Sequence, residues 1–182
     1  FYHEFSVSSD SAIRMPQVGI RSPILSHDGT NLAAAFETLR ERGQTEVLFE
    51  VLEKAFPNTR FFVDAQGGRF QMMMQREGIL RPLESAEFSD GTLRFLCLAV
   101  ALLSPRPPLF MALNEPENSL HPNLLPALAM LIAEASRYTQ LWVTSHSTDL
   151  AEMIQGYCEV QHFQLDQKEG ETVVVAINGQ AI

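Results

Sequence analysis

The stretch PLFMALNEPEN, at residues 108–118, decides the fold class of this 182-residue chain. Its apolar half, residues 108–113, is a continuous run typical of a parallel strand that is covered on both faces. Its polar half begins at Asn114. A second apolar run, at residues 141–144, also ends in polar residues. Together the two runs predict neighbouring buried strands of a parallel sheet.

Helical patterns connect and follow these strands. Residues 124–137 and 148–154 repeat apolar side chains at helical intervals, so strand and helix alternate along the chain. This order predicts a right-handed parallel α/β unit. Residues 92–103 are apolar nearly all round, which predicts a helix buried on most faces. The expected fold class is α/β, a parallel sheet flanked by helices.

The remaining segments predict additions to the same domain. Two short helical patterns, broken at Gly43 and ended by Pro57, predict a short helical lid. In chain order, the expected single domain comprises a strand at 1–7 with loop up to 29, the helical lid at 30–57, antiparallel strands at 58–88, a helix and α/β core at 89–156, and an antiparallel edge hairpin at 157–182.

Composition excludes several classes of function. The formal charge is −9, from 22 acidic and 13 basic residues, which argues against nucleic-acid binding over most of this surface. Other segments could still bind nucleic acid. The longest apolar run, residues 95–103, is too short for a membrane span of about 20 residues. Cys97 and Cys158 lie far apart and outside any Cys-x-x-Cys, so we expect reduced thiols in a cytoplasmic protein.

The ends of the two buried strands are the first candidate site, because open α/β sheets bind ligands at the carboxyl ends of their strands. Glu115 follows the first strand and His146 follows the second. A carboxylate beside an imidazole is an acid/base pair that could orient or deprotonate a water. The alternative is that Glu115 caps the next helix and His146 bonds a backbone carbonyl.

A second candidate site is the start of the buried helix, at Ser89, Asp90 and Gly91. Exposed amides at a helix N-terminus bind anions, and a glycine allows close approach. The alternative is plain N-capping by Ser89 or Asp90. The Asp90 carboxylate would also repel a phosphate.

The ordered set of motifs resembles the nucleotide-binding domain of ABC-type ATPases, in particular the RecF-like and OLD-like predicted ATPases of the AAA superfamily. The matching stretches are a signature loop and helix at 88–94 (FSDGTLR), a Walker B strand at 109–116 (LFMALNEP), a D-loop at 118–122 (NSLHP), an H-loop strand at 142–147 (WVTSHS), and a stretch at 25–32 (LSHDGTNL) that is common in the RecF-like group.

This resemblance implies a P-loop NTPase fold, with ATP and Mg²⁺ as cofactors and a homodimer that closes head to tail around two nucleotides. Glu115 would polarise the attacking water and His146 would contact the γ-phosphate. Ser89 and the Gly91 amide would bind the γ-phosphate of ATP held by the second subunit, and Ser145 would also bind ATP. The intact protein would then hydrolyse ATP to ADP and phosphate.

The sequence departs from this family pattern in two places. No glycine is followed by lysine, so the nucleotide-binding P-loop is absent from these 182 residues. We expect a missing N-terminal lobe to supply the loop, and the fragment alone to be inactive. Asn114 stands where the family usually has aspartate, which should weaken Mg²⁺ binding through water.

Other classes of function compete with the ATPase interpretation. The main alternative is a regulatory or interaction module that binds nucleotide without hydrolysing it. A hydrolase that uses Ser145 or Ser147 with His146 is disfavoured, because adjacent side chains on a strand point to opposite faces. A zinc site is also disfavoured, since the five histidines lack ligand spacing.

Overall fold

The computed structural model describes residues 5–42, 45–168 and 170–176. The helices are α1 (Leu32–Arg42), α2 (Thr45–Ala55), α3 (Asp90–Leu102), α4 (Leu125–Ala135) and α5 (Thr148–Tyr157). The strands are β1 (Gln17–Val18), β2 (Thr59–Gln66), β3 (Arg69–Arg76), β4 (Leu83–Glu84), β5 (Phe110–Asn114), β6 (Gln140–Thr144), β7 (Phe163–Lys168) and β8 (Glu171–Ala176).

The parallel part of the fold is the strand pair β5 and β6. Their register runs from Phe110 opposite Gln140 to Asn114 opposite Thr144, so both strands end at the same edge. The helix α4 connects them, and Pro126 lies in its first turn, where a missing N–H is tolerated. The predicted parallel α/β unit is therefore confirmed.

Antiparallel strands form two further sheets. In one of them, β3 lies between β1 and β2 and also pairs with β4. The β2–β3 hairpin turns through Gly67 and Gly68, whose positive φ values of 58° and 73° favour glycine. β7 and β8 form an antiparallel hairpin within the predicted edge hairpin at 157–182, and residues 169 and 177–182 of that prediction lie outside the described part of the chain.

The hydrophobic core surrounds α3, as its apolar sequence predicts. Leu93, Phe95 and Leu96 on this helix are fully buried. Helices α1 and α2 pack against the same core, through side chains such as Phe36 and Leu48. The predicted helical lid is thus packed into the body of the domain.

Two expectations about strands need correction. Residues 5–7 form no strand, and residues 1–4 of that prediction lie outside the described part of the chain. β5 and β6 are covered on one face only: Met111 belongs to the core, whereas Phe110 and Trp142 are 51% and 60% exposed. In the described residues the parallel sheet has only these two strands, and its other face lacks a covering layer.

Within the same residues, no helix has the length and apolar character needed to cross a membrane.

Candidate functional site

Glu115 lies at the edge where the parallel strands end. It directly follows β5, and its backbone N–H donates to the carbonyl of Thr144 at 2.8 Å. Its φ is +45°, a left-handed conformation that is uncommon outside glycine. This turn takes the chain out of the strand while the Glu115 side chain stays close to the end of β6.

The structure brings His146 next to this carboxylate. His146 Nε2 lies 3.1 Å from Glu115 Oε1, and the two side chains are 88% and 34% exposed. The alternative of helix capping by Glu115 is not observed, because the N-cap of α4 is Leu124. The predicted contact between the carboxylate and the imidazole is present, and both groups are accessible to solvent.

Asn114 and Thr144, the last residues of the two strands, are joined by a side-chain hydrogen bond. Thr144 Oγ1 donates to Asn114 Oδ1 at 2.7 Å. An amide oxygen has two lone pairs, so Asn114 keeps one acceptor site for a metal-bound water. Together with the Glu115 carboxylate, this edge presents the oxygen donors that Mg²⁺ prefers, so these residues fit the metal that the fold class implies.

Sequence reasoning missed Glu117. Its Oε1 accepts hydrogen bonds from Ser145 Oγ at 2.5 Å and from the His146 backbone N–H at 3.1 Å. Its Oε2 is buried and accepts no hydrogen bond from the described residues. Glu117 therefore ties the loop that carries His146 to the loop that carries Glu115. A second carboxylate two residues after Glu115 was visible in the sequence, but its contact with the other strand's loop was not.

The contacts of the nearby serines argue against a serine hydrolase. Ser145 Oγ donates to Glu117, and Ser147 Oγ accepts from the Leu150 N–H as the N-cap of α5. In the described hydrogen bonds, neither hydroxyl meets the His146 ring. Among residues 5–42, 45–168 and 170–176, no group of three or more His, Cys, Asp or Glu side chains is arranged to hold a metal ion.

Ser89 and Gly91 lie at the start of α3, away from the β5–β6 pair in sequence. Ser89 is the N-cap of the helix, and its hydroxyl accepts from the Thr92 N–H at 3.1 Å. A Cβ on Gly91 would lie 3.1 Å from the carbonyl oxygen of Ser119. The start of α3 therefore touches the turn that follows Glu115, and a glycine permits that approach.

Glu115 and His146 follow the two parallel strands, and the chain is a domain of the ABC/AAA-type P-loop ATPase class. The model of one protein family, described as "AAA domain, putative AbiEii toxin, Type IV TA system", matches residues 6–152. The chain belongs to this family. No curated protein matches the chain.

Solved structures of SMC ATPase heads share the fold. One, from work on ATP-driven dimerization and DNA stimulated activation of SMC ATPases, has 16% identity and a TM-score of 0.56, over 79% of this chain and 89% of that chain. The Smc head domain with a coiled coil and joint from Pyrococcus yayanosii has 17% identity and a TM-score of 0.59, over 79% and 28% of the two chains. The SMC head domain from Thermotoga maritima has 18% identity and a TM-score of 0.54, over 79% and 49%. At these identities the likeness shows the P-loop NTPase fold.

Proposed function

We propose that this chain is the catalytic part of a RecF-like ATPase that hydrolyses ATP to ADP and phosphate. The observation that carries the proposal is the 3.1 Å contact between Glu115 and His146 at the carboxyl edge of parallel strands. Glu115 polarises the attacking water, and His146 contacts the γ-phosphate. Membership of an AAA family supports ATP as the nucleotide.

Phosphoryl transfer requires mainly positioning and charge stabilisation from the protein. Glu117 supports the positioning, because it fixes the His146 backbone through a hydrogen bond. Ser145, which donates to the same carboxylate, would also bind ATP. The unpaired Oε2 of Glu117 is a buried acceptor that a donor from the completed site would satisfy.

Mg²⁺ would neutralise charge on the phosphates. Asn114 would hold the ion through a bound water, with its free acceptor site, while Thr144 fixes the amide. A neutral amide attracts a cation less than a carboxylate does, so metal affinity is lower than with aspartate at this position.

The proposal includes a homodimer in which Ser89 and the Gly91 amide bind the γ-phosphate of the partner's ATP. A nucleotide loop from an N-terminal segment outside these 182 residues would complete each site, and this chain alone would be inactive. Two observations support this arrangement: no glycine precedes a lysine, and the exposed Phe110 and Trp142 offer an apolar surface to a covering layer. The unpaired Cys97 and Cys158 support a cytoplasmic location.

The proposal is tested with Glu115→Gln in the full-length protein. We expect steady-state phosphate release to fall by about 100-fold or more, because general-base assistance is lost, while an ATP-bound dimer accumulates. Glu152→Gln, on the exposed surface of α5, is the matched control and should behave as wild type. Unchanged hydrolysis in Glu115→Gln would remove Glu115 from the role of base.

The second candidate function is a nucleotide-dependent switch that closes without turnover, and Asn114 is the observation that favours it. The same experiment separates the two. If the wild-type full-length protein assembles with ATP and Mg²⁺ but releases no phosphate, the switch is correct.

A further inference from the structure

Arg14 is a buried cation with no part in the catalytic scheme above. Only 6% of the residue is exposed, although arginine is almost never buried unless it is paired. Removing a guanidinium from water is unfavourable unless hydrogen bonds and an opposite charge compensate. The partners of Arg14 therefore show which part of the molecule this cation holds in place.

The partners of the Arg14 guanidinium are backbone carbonyls from two separate segments of the chain and one carboxylate. The guanidinium donates to the carbonyl oxygens of Val7, Ser8, Ser85, Ala86 and Phe88, at distances from 2.7 to 3.4 Å. Its Nη2 also donates to Asp90 Oδ1 at 2.5 Å. In return, Ser85 Oγ donates to the Arg14 carbonyl oxygen at 2.9 Å. One side chain thus fixes the segment that leads from Ser85 into α3.

The ion pair changes the electrostatics at the start of α3. Asp90 is the first residue of this helix, between Ser89 and Gly91, and its side chain is 64% exposed. An uncompensated carboxylate there would repel a phosphate, as the sequence indicated. The positive charge of Arg14 offsets the Asp90 charge, so the exposed amides and the helix dipole are left to attract an anion.

We infer that Arg14 is a positioning residue that prepares the start of α3 to bind the γ-phosphate of the partner's nucleotide. It acts through Asp90, whose charge it offsets, and through the carbonyls of the preceding segment, which it holds in place. This inference rests on the proposed function, because it assumes that Ser89 and Gly91 contact nucleotide across a dimer. A merely structural Arg14 would affect folding stability and leave dimerisation of the folded protein unchanged.

The test measures nucleotide-driven dimerisation of the full-length protein by analytical ultracentrifugation, with Mg²⁺ and a non-hydrolysable ATP analogue. We expect Arg14→Met to weaken dimerisation about tenfold, the effect of one uncompensated charge near a phosphate at intermediate dielectric. The affinity of the monomer for a fluorescent ATP analogue should stay unchanged, because that site lies on the other side of the interface. Arg81→Met is the matched control, since Arg81 pairs with Glu87 at 2.8 Å in the same segment but is exposed.

A double variant separates charge from structure. Arg14→Met with Asp90→Asn removes both charges, and we expect it to recover most of the lost dimer affinity. The inference would be overturned if the single and double variants lost the same amount of dimer affinity, or if a folded Arg14→Met dimerised like wild type. If thermal unfolding shows that Arg14→Met does not fold, Asp90→Asn is the second variant: it removes the carboxylate that Arg14 offsets and should dimerise at least as well as wild type. A folded Asp90→Asn that is tenfold weaker would also overturn it.

Failure of the proposed function gives a different result. If the wild-type protein neither assembles with the ATP analogue nor hydrolyses ATP, the ATPase proposal falls, and the role of Arg14 falls with it. If the wild type assembles and Arg14→Met assembles equally well, only the role of Arg14 falls.

Discussion

Glu115 combines backbone strain with an exposed functional group. A non-glycine residue with φ of +45° costs on the order of 1–3 kcal/mol, and such residues cluster at functional sites. The hydrogen bond from its N–H to the Thr144 carbonyl holds this conformation. The left-handed conformation of Glu115 thus places its carboxylate beside the imidazole of His146, whereas a residue in the extended conformation would continue the strand.

The neighbouring Asn114 should control the metal requirement. Asn114→Asp adds a negative charge beside the expected Mg²⁺ site, so we expect the Mg²⁺ concentration for half-maximal ATP hydrolysis to fall about tenfold in the full-length protein. The measurement is a Mg²⁺ titration of phosphate release at saturating ATP. Thr144→Val, which removes only the hydroxyl that fixes the amide, is a companion variant and should shift the titration less. No shift in Asn114→Asp would mean that position 114 does not sense the metal.

At the scale of elements, the start of α3 serves two purposes. The Ser89 hydroxyl accepts a hydrogen bond from a backbone N–H at the helix start that has no partner within the helix. Gly91 allows the carbonyl oxygen of Ser119 to approach so closely that a Cβ at this position would be crowded. The capping alternative for Ser89 is therefore correct as a description of this structure. Binding a phosphate would replace the Ser89 contact with the Thr92 N–H by a contact with the ligand.

Variants of Ser89 should separate capping from nucleotide binding. Ser89→Ala removes the cap and should lower the free energy of unfolding by about 1 kcal/mol. Ser89→Asn keeps a good N-cap, so its stability should match wild type, whereas ATP-driven dimerisation should be weakened in both variants. Chemical denaturation and analytical ultracentrifugation provide the two measurements. Normal dimerisation of Ser89→Asn would restrict Ser89 to capping.

At the scale of the whole molecule, the parallel sheet has one apolar face that no other part of the described fold covers. Phe110 and Trp142 stand exposed on one face, while Met111 on the opposite face is buried in the core. An apolar sheet face of this kind is a surface for another layer of protein or a risk of aggregation. Asn114 and Thr144 end the same exposed face, so a covering layer would also lie beside the proposed nucleotide site.

Trp142 gives a direct readout of this exposure, because it is the single tryptophan of the chain. In a dilute sample of the 182-residue chain, we expect its emission to resemble that of tryptophan in water and to be quenched by acrylamide. Far-ultraviolet circular dichroism of the same sample should show a folded protein. In a full-length protein that carries the nucleotide loop, the emission should shift to shorter wavelengths and quenching should weaken. A shielded Trp142 in the monomeric 182-residue chain would contradict the exposed face.

Local patterns in the sequence predicted the elements well where they are long. The continuous apolar character of α3 and the apolar periodicity of α4 each depend on neighbouring residues, so they could be read in advance. β1 and β4 have two residues each, too few to show a period, and only their pairing with β3 makes them strands. The motif order also predicted that Glu115 and His146 would meet, because parallel strands end at one edge.

The sequence by itself determined the class of this protein, because the features that indicate the class are local. They are two apolar runs, each followed by a polar cluster, and a glycine at the start of a core helix. Only the tertiary structure decided what offsets Asp90 and what holds His146. Arg14 lies far from Asp90 in the chain, and Glu117 reaches the loop after another strand. Such contacts depend on how distant segments pack, and no spacing within one segment encodes them.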